Sequence, residues 1–170
     1  MRVRRANIDD VDTLQQIGRQ TFLETFSSGN TAENINSYVD ESFAKAKLLS
    51  ELNNTDSQFF VLEHEDQVIG YLKLNTGQAQ SDIKDHSALE IERIYVLREF
   101  HGLKAGQELF DTAITVARNL GVDYVWLGVW EENPRAINFY RKNGFVEFDR
   151  HVFRLGTDEQ TDILMKLVLK

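Results

Sequence analysis

Two carboxylates and a glycine-containing loop that could do chemistry lie close together between Glu90 and Gly106. Glu90 and Glu92 are two residues apart in a segment that alternates like a β-strand, so their side chains are predicted to point to the same side. A carboxylate there could take a proton from a bound reactant. The pattern therefore indicates a candidate acid–base site, although glutamates that are merely ion-paired or solvated would give the same pattern.

The loop that follows this strand is suited to binding an anion. Gly102 precedes, and Gly106 falls inside, a helix predicted over residues 103–120. Amides at a helix start are unpaired, the helix dipole adds partial positive charge, and glycine lets a ligand approach the backbone. Arg98, His101 and Lys104 add basic side chains. An ordinary strand-to-helix turn could need the same glycines for steric reasons, and the spacing is not that of G-x-G-x-x-G.

A second segment, residues 126–145, combines a strand with a short helix. Asn133 is a good N-cap and Gly144 follows the helix end, where a left-handed residue is favoured. Residues 133, 136 and 140 fall on one side of this helix. The phenol of Tyr140 could donate a proton to a departing group, or its ring could simply be packed.

Local patterns predict the elements that position these residues. The polar stretch 65–67 predicts an antiparallel hairpin, and the second half alternates strand, helix, strand, helix. We expect an α/β (α+β) fold in one domain over residues 1–170, with a mixed sheet of six to seven strands and helices on both faces. The predicted helices cover 11–26, 31–52 with a break near Asp40, 103–120 and 134–142. The predicted strands cover 2–6, 58–63, 68–74, 89–97, 122–130, 145–153 and 162–168.

Composition excludes several kinds of site. The chain has no cysteine, so disulfides, a thiol acyl-enzyme and a cysteine zinc site are excluded. Its four histidines lack metal-ligand spacing, and we predict no metal. A net charge of −8 argues against a broad nucleic-acid surface. Neither a signal sequence nor a membrane-spanning apolar run is evident, so we expect a cytoplasmic protein with no membrane partner.

The two segments together resemble the cofactor motifs of the GNAT superfamily of N-acetyltransferases. The second motif of that family, Asn-x-x-Ala-x-x-Phe-Tyr-x-x-x-Gly-Phe, is matched at Asn133, Ala136, Phe139, Tyr140, Gly144 and Phe145. The loop motif of the family usually has Arg or Gln, then two residues, Gly, one residue, and finally Gly or Ala. These positions are His101, Lys104 and Gly106 here, so only the last is standard.

The resemblance implies that acetyl-CoA binds between two splayed parallel strands and that an amine attacks the thioester directly. Tyr140 would be the general acid, and a glutamate on the first strand would be the base, with Glu92 favoured over Glu90. Main-chain amides near Ile94 would steady the oxyanion. The implied cofactor-binding residues are Ile94, Tyr95, Val96, His101, Gly102, Leu103, Lys104, Ala105, Gly106, Gln107, Asn133, Ala136, Phe139, Tyr140 and Lys142.

The acceptor is expected to be a small-molecule amine. Phe22, Glu24 and Glu41 lie in the helical region that covers the acceptor side in this family, and aromatics with carboxylates suit a polycation. An ordinary core with a solvated helix face would look the same. Residues 126–131 and 151–162 resemble the bacterial spermidine/spermine N-acetyltransferase group, which favours polyamines. A protein or peptide amine, or a non-catalytic CoA-binding module, are the alternatives. The tryptophan-rich strand end at residues 126–130 is expected to be exposed, which would suit a homodimer.

Overall fold

Seven strands form one mixed sheet in the computed structural model, which describes residues Met1–Lys170. Their order is β1-β2-β3-β4-β5-β7-β6, and only β4 and β5 are parallel neighbours. The α/β fold with a mixed sheet is therefore confirmed. The strands are β1 (Arg2–Arg5), β2 (Ser57–His64), β3 (Gln67–Asn75), β4 (Ala88–Val96), β5 (Tyr124–Trp130), β6 (Val146–Leu155) and β7 (Asp158–Val168).

Five α-helices cover the two faces of the sheet. Helices α1 (Val11–Phe26), α2 (Ala32–Ser42) and α3 (Lys45–Leu52) pack on one face and share a core with Phe59 and Tyr71. Helices α4 (Ala105–Leu120) and α5 (Pro134–Lys142) contribute to the core on the other face. None of these helices combines the length and the apolar character needed to cross a bilayer.

The parallel pair β4–β5 separates part of the way along. The two strands are paired only from Ala88 opposite Tyr124 to Glu90 opposite Trp126, although β4 continues to Val96. On its other side β4 pairs with β3, where Lys73 faces Arg93 and Leu74 faces Ile91, so Glu92 is an extra residue. Such a bulge bends a strand and re-aims its side chains. The result is an open wedge between β4 and β5.

The break between the second and third helices is displaced from its predicted position near Asp40. Helix α2 runs to Ser42 and α3 starts at Lys45. The reason is tertiary: Phe43 is 2% exposed, and a Cβ built on Gly18 of α1 would lie only 2.3 Å from its ring. The helix therefore ends where Phe43 enters the surface of α1.

The closing hairpin is longer than predicted. Its strands were expected to stop at residue 153 and to resume at 162, but β6 and β7 are separated only by Gly156 and Thr157. Gly156 has φ +65°, and a Cβ there would lie 2.1 Å from Asn34 Oδ1. Glycine is therefore required twice over, by the turn and by the close approach of α2.

Candidate active site

The wedge between β4 and β5 opens into a cleft of about 2000 Å³. Its lining comes from both splayed strands, the start of α4, helix α5, helices α1 and α2, and the closing hairpin. All of the predicted catalytic residues and all of the predicted cofactor-binding residues except Leu103 line this cleft. Leu103 is instead 50% exposed.

One end of the cleft presents unpaired amides. The backbone N–H groups of residues 102–107 donate to no other group of the protein. A Cβ built on Gly106 would have no atom within 4 Å, so the protein's own packing does not demand glycine there. These residues fit a pyrophosphate, which needs several convergent donors and a close approach to the backbone.

The basic side chains near this loop differ in their availability. The guanidinium of Arg98 donates to the carbonyl of Glu24, and the Arg98 amide donates to the Glu24 carboxylate at 2.9 Å. His101 Nε2 lies 2.9 Å from the carbonyl oxygen of Val96, and burial lowers the pKa of His101, so its ring is mainly neutral at pH 7. The charged basic side chains that line this end of the cleft are therefore Arg98, Lys104, Arg135 and Lys142, and Arg98 is the one held by Glu24.

Lys104 adopts a backbone conformation that favours glycine, the usual residue at this motif position. It is the N-cap of α4 with φ +64°. We expect the free energy of unfolding of Lys104→Gly to be about 1 kcal/mol higher than that of Lys104→Ala. Both variants lose the charge, but only alanine has a Cβ, which is strained in the left-handed conformation. Chemical denaturation of the two variants without ligand measures the difference. Equal stabilities would mean that the loop leaves the left-handed conformation.

Tyr140 has the environment of a proton donor. Its side chain lines the cleft, and its ring centroid lies 5.5 Å from that of Phe139 and 5.9 Å from that of Phe145. The hydroxyl makes no hydrogen bond within the protein, and burial raises the pKa of Tyr140 far above that of a free tyrosine. The phenol therefore stays protonated at neutral pH. Asn133 caps α5, because its side-chain oxygen accepts a hydrogen bond from the Ala136 amide at 3.2 Å.

Glu90 and Glu92 project to the same side of β4, as strand alternation predicts. One side-chain nitrogen, Asn75 Nδ2, lies 3.0 Å from Glu90 Oε1 and 2.7 Å from Glu92 Oε1. Glu90 also accepts hydrogen bonds from the amide of Ser81, at 2.8 Å, and from the Ser81 hydroxyl. Asn75 therefore joins the two candidate bases into one hydrogen-bonded group.

The two glutamates differ in acidity. Burial raises the pKa of Glu90, and the hydrogen bonds from Asn75 and Ser81 only partly oppose it. Burial would also raise the pKa of Glu92, but Arg93 and Lys73 outweigh burial and the pKa is lowered. Lys73 Nζ lies 3.0 Å from Glu92 Oε1. Because a base needs affinity for a proton, this environment favours Glu90 over Glu92, the reverse of the order expected from the sequence.

Aromatic rings line the side of the cleft on which the sequence predicts the acceptor. The centroid of Phe22 lies 4.5 Å from that of Phe26 and 4.7 Å from that of Tyr38. Phe26 in turn lies 4.9 Å from Trp130 and 6.4 Å from Phe153. We call Phe22, Phe26, Tyr38, Trp130 and Phe153 the aromatic wall. Its rings form a surface over which an alkylammonium chain could pass.

The two carboxylates predicted to bind the acceptor, Glu24 and Glu41, are not both free to do so. Glu24 lines the cleft, but one of its carboxylate oxygens accepts a hydrogen bond from the Arg98 amide. Glu41 lies outside the cleft, in a separate depression with Lys47 and Arg154. The reason is helical geometry: α2 turns Ile35 and Val39 into the core, which leaves Glu41 exposed to solvent. We therefore drop Glu41 from the candidate site.

Asp162 is a cleft residue that sequence reasoning missed. The sequence places it at the end of the 151–162 motif and at the start of the last predicted strand, without a role in the site, yet its side chain lines the cleft beside Gly128 and Trp130. Alternation along β7 could have predicted that Asp162 and Leu164 point to the same face of the sheet. Nothing in the sequence reveals that β7 lies beside β5, however, and that neighbour brings Asp162 to the cleft.

The tryptophans of β5 are buried, contrary to the expectation of an exposed strand end. Trp126 is 1% exposed and donates a hydrogen bond to Gln80 at 2.7 Å, and Trp130 is 7% exposed. The surface that would have favoured a homodimer is therefore absent from this strand.

Comparison with known proteins agrees with this geometry. Residues 15–145 match the family model described as the acetyltransferase (GNAT) family. An uncharacterised N-acetyltransferase of Lactobacillus delbrueckii subsp. lactis is 39% identical over 94% of this chain and 92% of its own. The spermidine N(1)-acetyltransferase of Thermoplasma acidophilum is 27% identical over 84% of this chain and 86% of its own.

A solved structure adds coenzyme A to the comparison. The crystal structure of the PaiA N-acetyltransferase from Thermoplasma acidophilum, in complex with coenzyme A, superposes with a TM-score of 0.81 at 25% identity. It covers 98% of both chains. The wedge between two parallel strands, the loop of unpaired amides and the family match therefore lead to one conclusion: the chain belongs to the GNAT family of acetyl-CoA-dependent N-acetyltransferases.

Proposed function

We propose that this protein transfers the acetyl group of acetyl-CoA to a primary amine, and that the amine is a polyamine such as spermidine or spermine. The observation that carries the proposal is the single cleft in which unpaired amides, the unbonded hydroxyl of Tyr140 and the aromatic wall meet. The similarity to the Thermoplasma spermidine N(1)-acetyltransferase supports the choice of amine. A cytoplasmic location and a homodimer stay predictions.

The cosubstrate would lie along the wedge. The amides of residues 102–107 would hold its pyrophosphate, with Lys104 supplying charge at the loop. Its pantetheine would run past the main chain of Ile94, Tyr95 and Val96, on the edge of β4 that β5 has left. The other predicted contacts, Ala136, Phe139 and Lys142, come from α5 on the opposite side of the wedge.

The reaction needs two protons to leave the amine nitrogen. An alkylammonium with a pKa near 10.4 is only about one part in a thousand neutral at pH 7.4. Glu90, directly or through water, would take the first proton, and the neutral amine would attack the thioester carbonyl. When the carbon–sulfur bond breaks, Tyr140 would give its proton to the thiolate of CoA and regain one from the solvent. The second nitrogen proton is lost to solvent when the amide forms. The overall reaction converts the alkylammonium and acetyl-CoA into the amide, CoA and one released proton.

The first experiment measures CoA release from acetyl-CoA with spermidine, spermine, lysine, an N-terminal peptide or no amine. A thiol reagent detects the CoA, and the protein adds no background because it has no cysteine. We expect rapid release with the polyamines alone. Release with the peptide alone would assign the activity to protein amines. Binding of acetyl-CoA without release on any amine would indicate a non-catalytic module.

A further inference from the structure

Asp162 is a carboxylate for which the protein supplies no partner. No donor of the protein lies within hydrogen-bonding distance of its oxygens, and no cation lies close enough to form an ion pair with it. By contrast, Glu90 and Glu92 are both hydrogen-bonded, and Glu92 is ion-paired as well. Burial raises the pKa of Asp162 to about 6, with His151 opposing the rise, so the group is mostly ionised at neutral pH. Partly buried anions are normally paired, which makes this one exceptional.

The geometry directs this carboxylate toward the acceptor side of the cleft. Asp162 lies opposite Trp130 on the neighbouring strand. Its Oδ2 stands 3.2 Å from the position that a Cβ on Gly128 would occupy. The carboxylate thus lies over β5 next to Trp130, a member of the aromatic wall, and Phe153 of the same wall follows on β6. A carboxylate beside aromatic rings is a good receptor for an alkylammonium group.

Asp162 and Glu90 are too far apart to hold the same nitrogen. Glu90 is level with Trp126, whereas the Asp162 carboxylate leans over Gly128, two residues further along β5. At about 3.3 Å per residue this is about 7 Å along the strand, and β5 itself separates β7 from β4. A molecule with two nitrogens could reach both residues, but a monoamine could not.

We propose that Asp162, with Trp130 and Phe153, binds a second, non-reacting ammonium group of the acceptor and thereby selects di- and polyamines over monoamines. This inference rests on the proposed acetyl transfer to an amine. His151 is the titratable side chain that faces Asp162 across β6 and β7, and it is itself held by Asp82 and Asp149. The positive partner of Asp162 is therefore expected from the acceptor.

The test compares spermidine with n-butylamine on three proteins at saturating acetyl-CoA: wild type, Asp162→Asn and Glu159→Gln. Glu159 is on the same strand, but it is exposed and pairs with Arg154. We expect Asp162→Asn to lower kcat/KM for spermidine by about 10- to 100-fold, chiefly through KM, and to change that for n-butylamine less than about twofold. Glu159→Gln should leave both values unchanged. An equal loss with both amines, or no loss, would overturn the inference.

Two further measurements separate this inference from the proposed function and from a merely structural role. In calorimetry with the CoA complex, Asp162→Asn should bind spermidine more weakly than the wild type does. If that result is obtained but no amine is acetylated, the proposed function fails and this inference stands. The Tm of Asp162→Asn at pH 8 should be equal to or above that of the wild type, because an unpaired charge is removed. A lower Tm together with unchanged spermidine binding would assign Asp162 to the fold alone.

Discussion

Replacing Tyr140 with phenylalanine is expected to lower kcat by about 100-fold to 10,000-fold, the usual contribution of a positioned acid or base. The phenol is the protonated, unbonded donor on the cleft wall, and without it the thiolate of CoA must leave as an anion. The ring and its contacts with Phe139 and Phe145 remain, so the affinity for acetyl-CoA should change less than about threefold. Steady-state kinetics and calorimetry with acetyl-CoA measure the two quantities.

Tyr124→Phe is the matched control for this variant. Tyr124 is also on the sheet and its hydroxyl donates to Asp85 at 2.9 Å, but it does not line the cleft. Its loss should cost about 1 kcal/mol of stability and leave kcat within about twofold. If kcat of Tyr140→Phe also stays within twofold at a pH where chemistry limits turnover, Tyr140 is not the acid.

Replacing Lys73 with methionine is expected to lower the free energy of unfolding by about 3 to 5 kcal/mol at pH 7. The Lys73 side chain is 4% exposed, and its Nζ lies 2.8 Å from Glu51 Oε2 and 3.0 Å from Glu92 Oε1. Methionine fills much of the same space but leaves two carboxylates without this cation, and only Arg93, at 3.5 Å, remains beside Glu92. Unfolding in urea, followed by circular dichroism, measures the loss.

Two comparisons show whether charge causes that loss. Lys45→Met removes an exposed ammonium that pairs with Asp12 and should cost less than about 1 kcal/mol. The low folded-state pKa of Glu92 means that its stabilising contribution is present above the unfolded pKa, about 4.3, and is lost as the pH falls through the folded value. The difference between wild type and Lys73→Met should therefore shrink below about pH 4.3. A loss that stays constant with pH would indicate packing instead.

Short-range signals were sufficient to predict several elements of the fold. Helix α5 begins and ends where the sequence predicts, at Pro134 and Lys142, because its N-cap and the glycine that follows it act locally. The hairpin between β2 and β3 turns at Glu65 and Asp66, both of which have positive φ. The parallel order of β4 and β5 followed from the strand–helix–strand rhythm together with the family motifs.

Long-range contacts set the features that the sequence did not reveal. The end of α2 depends on Phe43 meeting Gly18, and the extra residue at Glu92 depends on pairing with β3. The same limit applies to charge. No local pattern shows that Lys73 would lower the pKa of Glu92 or that His101 would approach the carbonyl of Val96. The motifs therefore located the cleft, whereas its electrostatics required the fold.

The contacts of the closing hairpin with α2 and with the turn before it bear on how the protein folds during synthesis. Asn34 donates to Asp158 at 3.0 Å, and Gln160 donates to Asn30 at 3.0 Å, so residues from opposite ends of the sequence complete the acceptor side. A ribosome delivers α1 and α2 long before β7. Until β5 and β6 have been translated, Phe26 lacks Trp130 and Phe153, and this aromatic surface faces solvent. The acceptor pocket is consequently among the last parts of the nascent chain to form, after the loop for the cosubstrate has been translated.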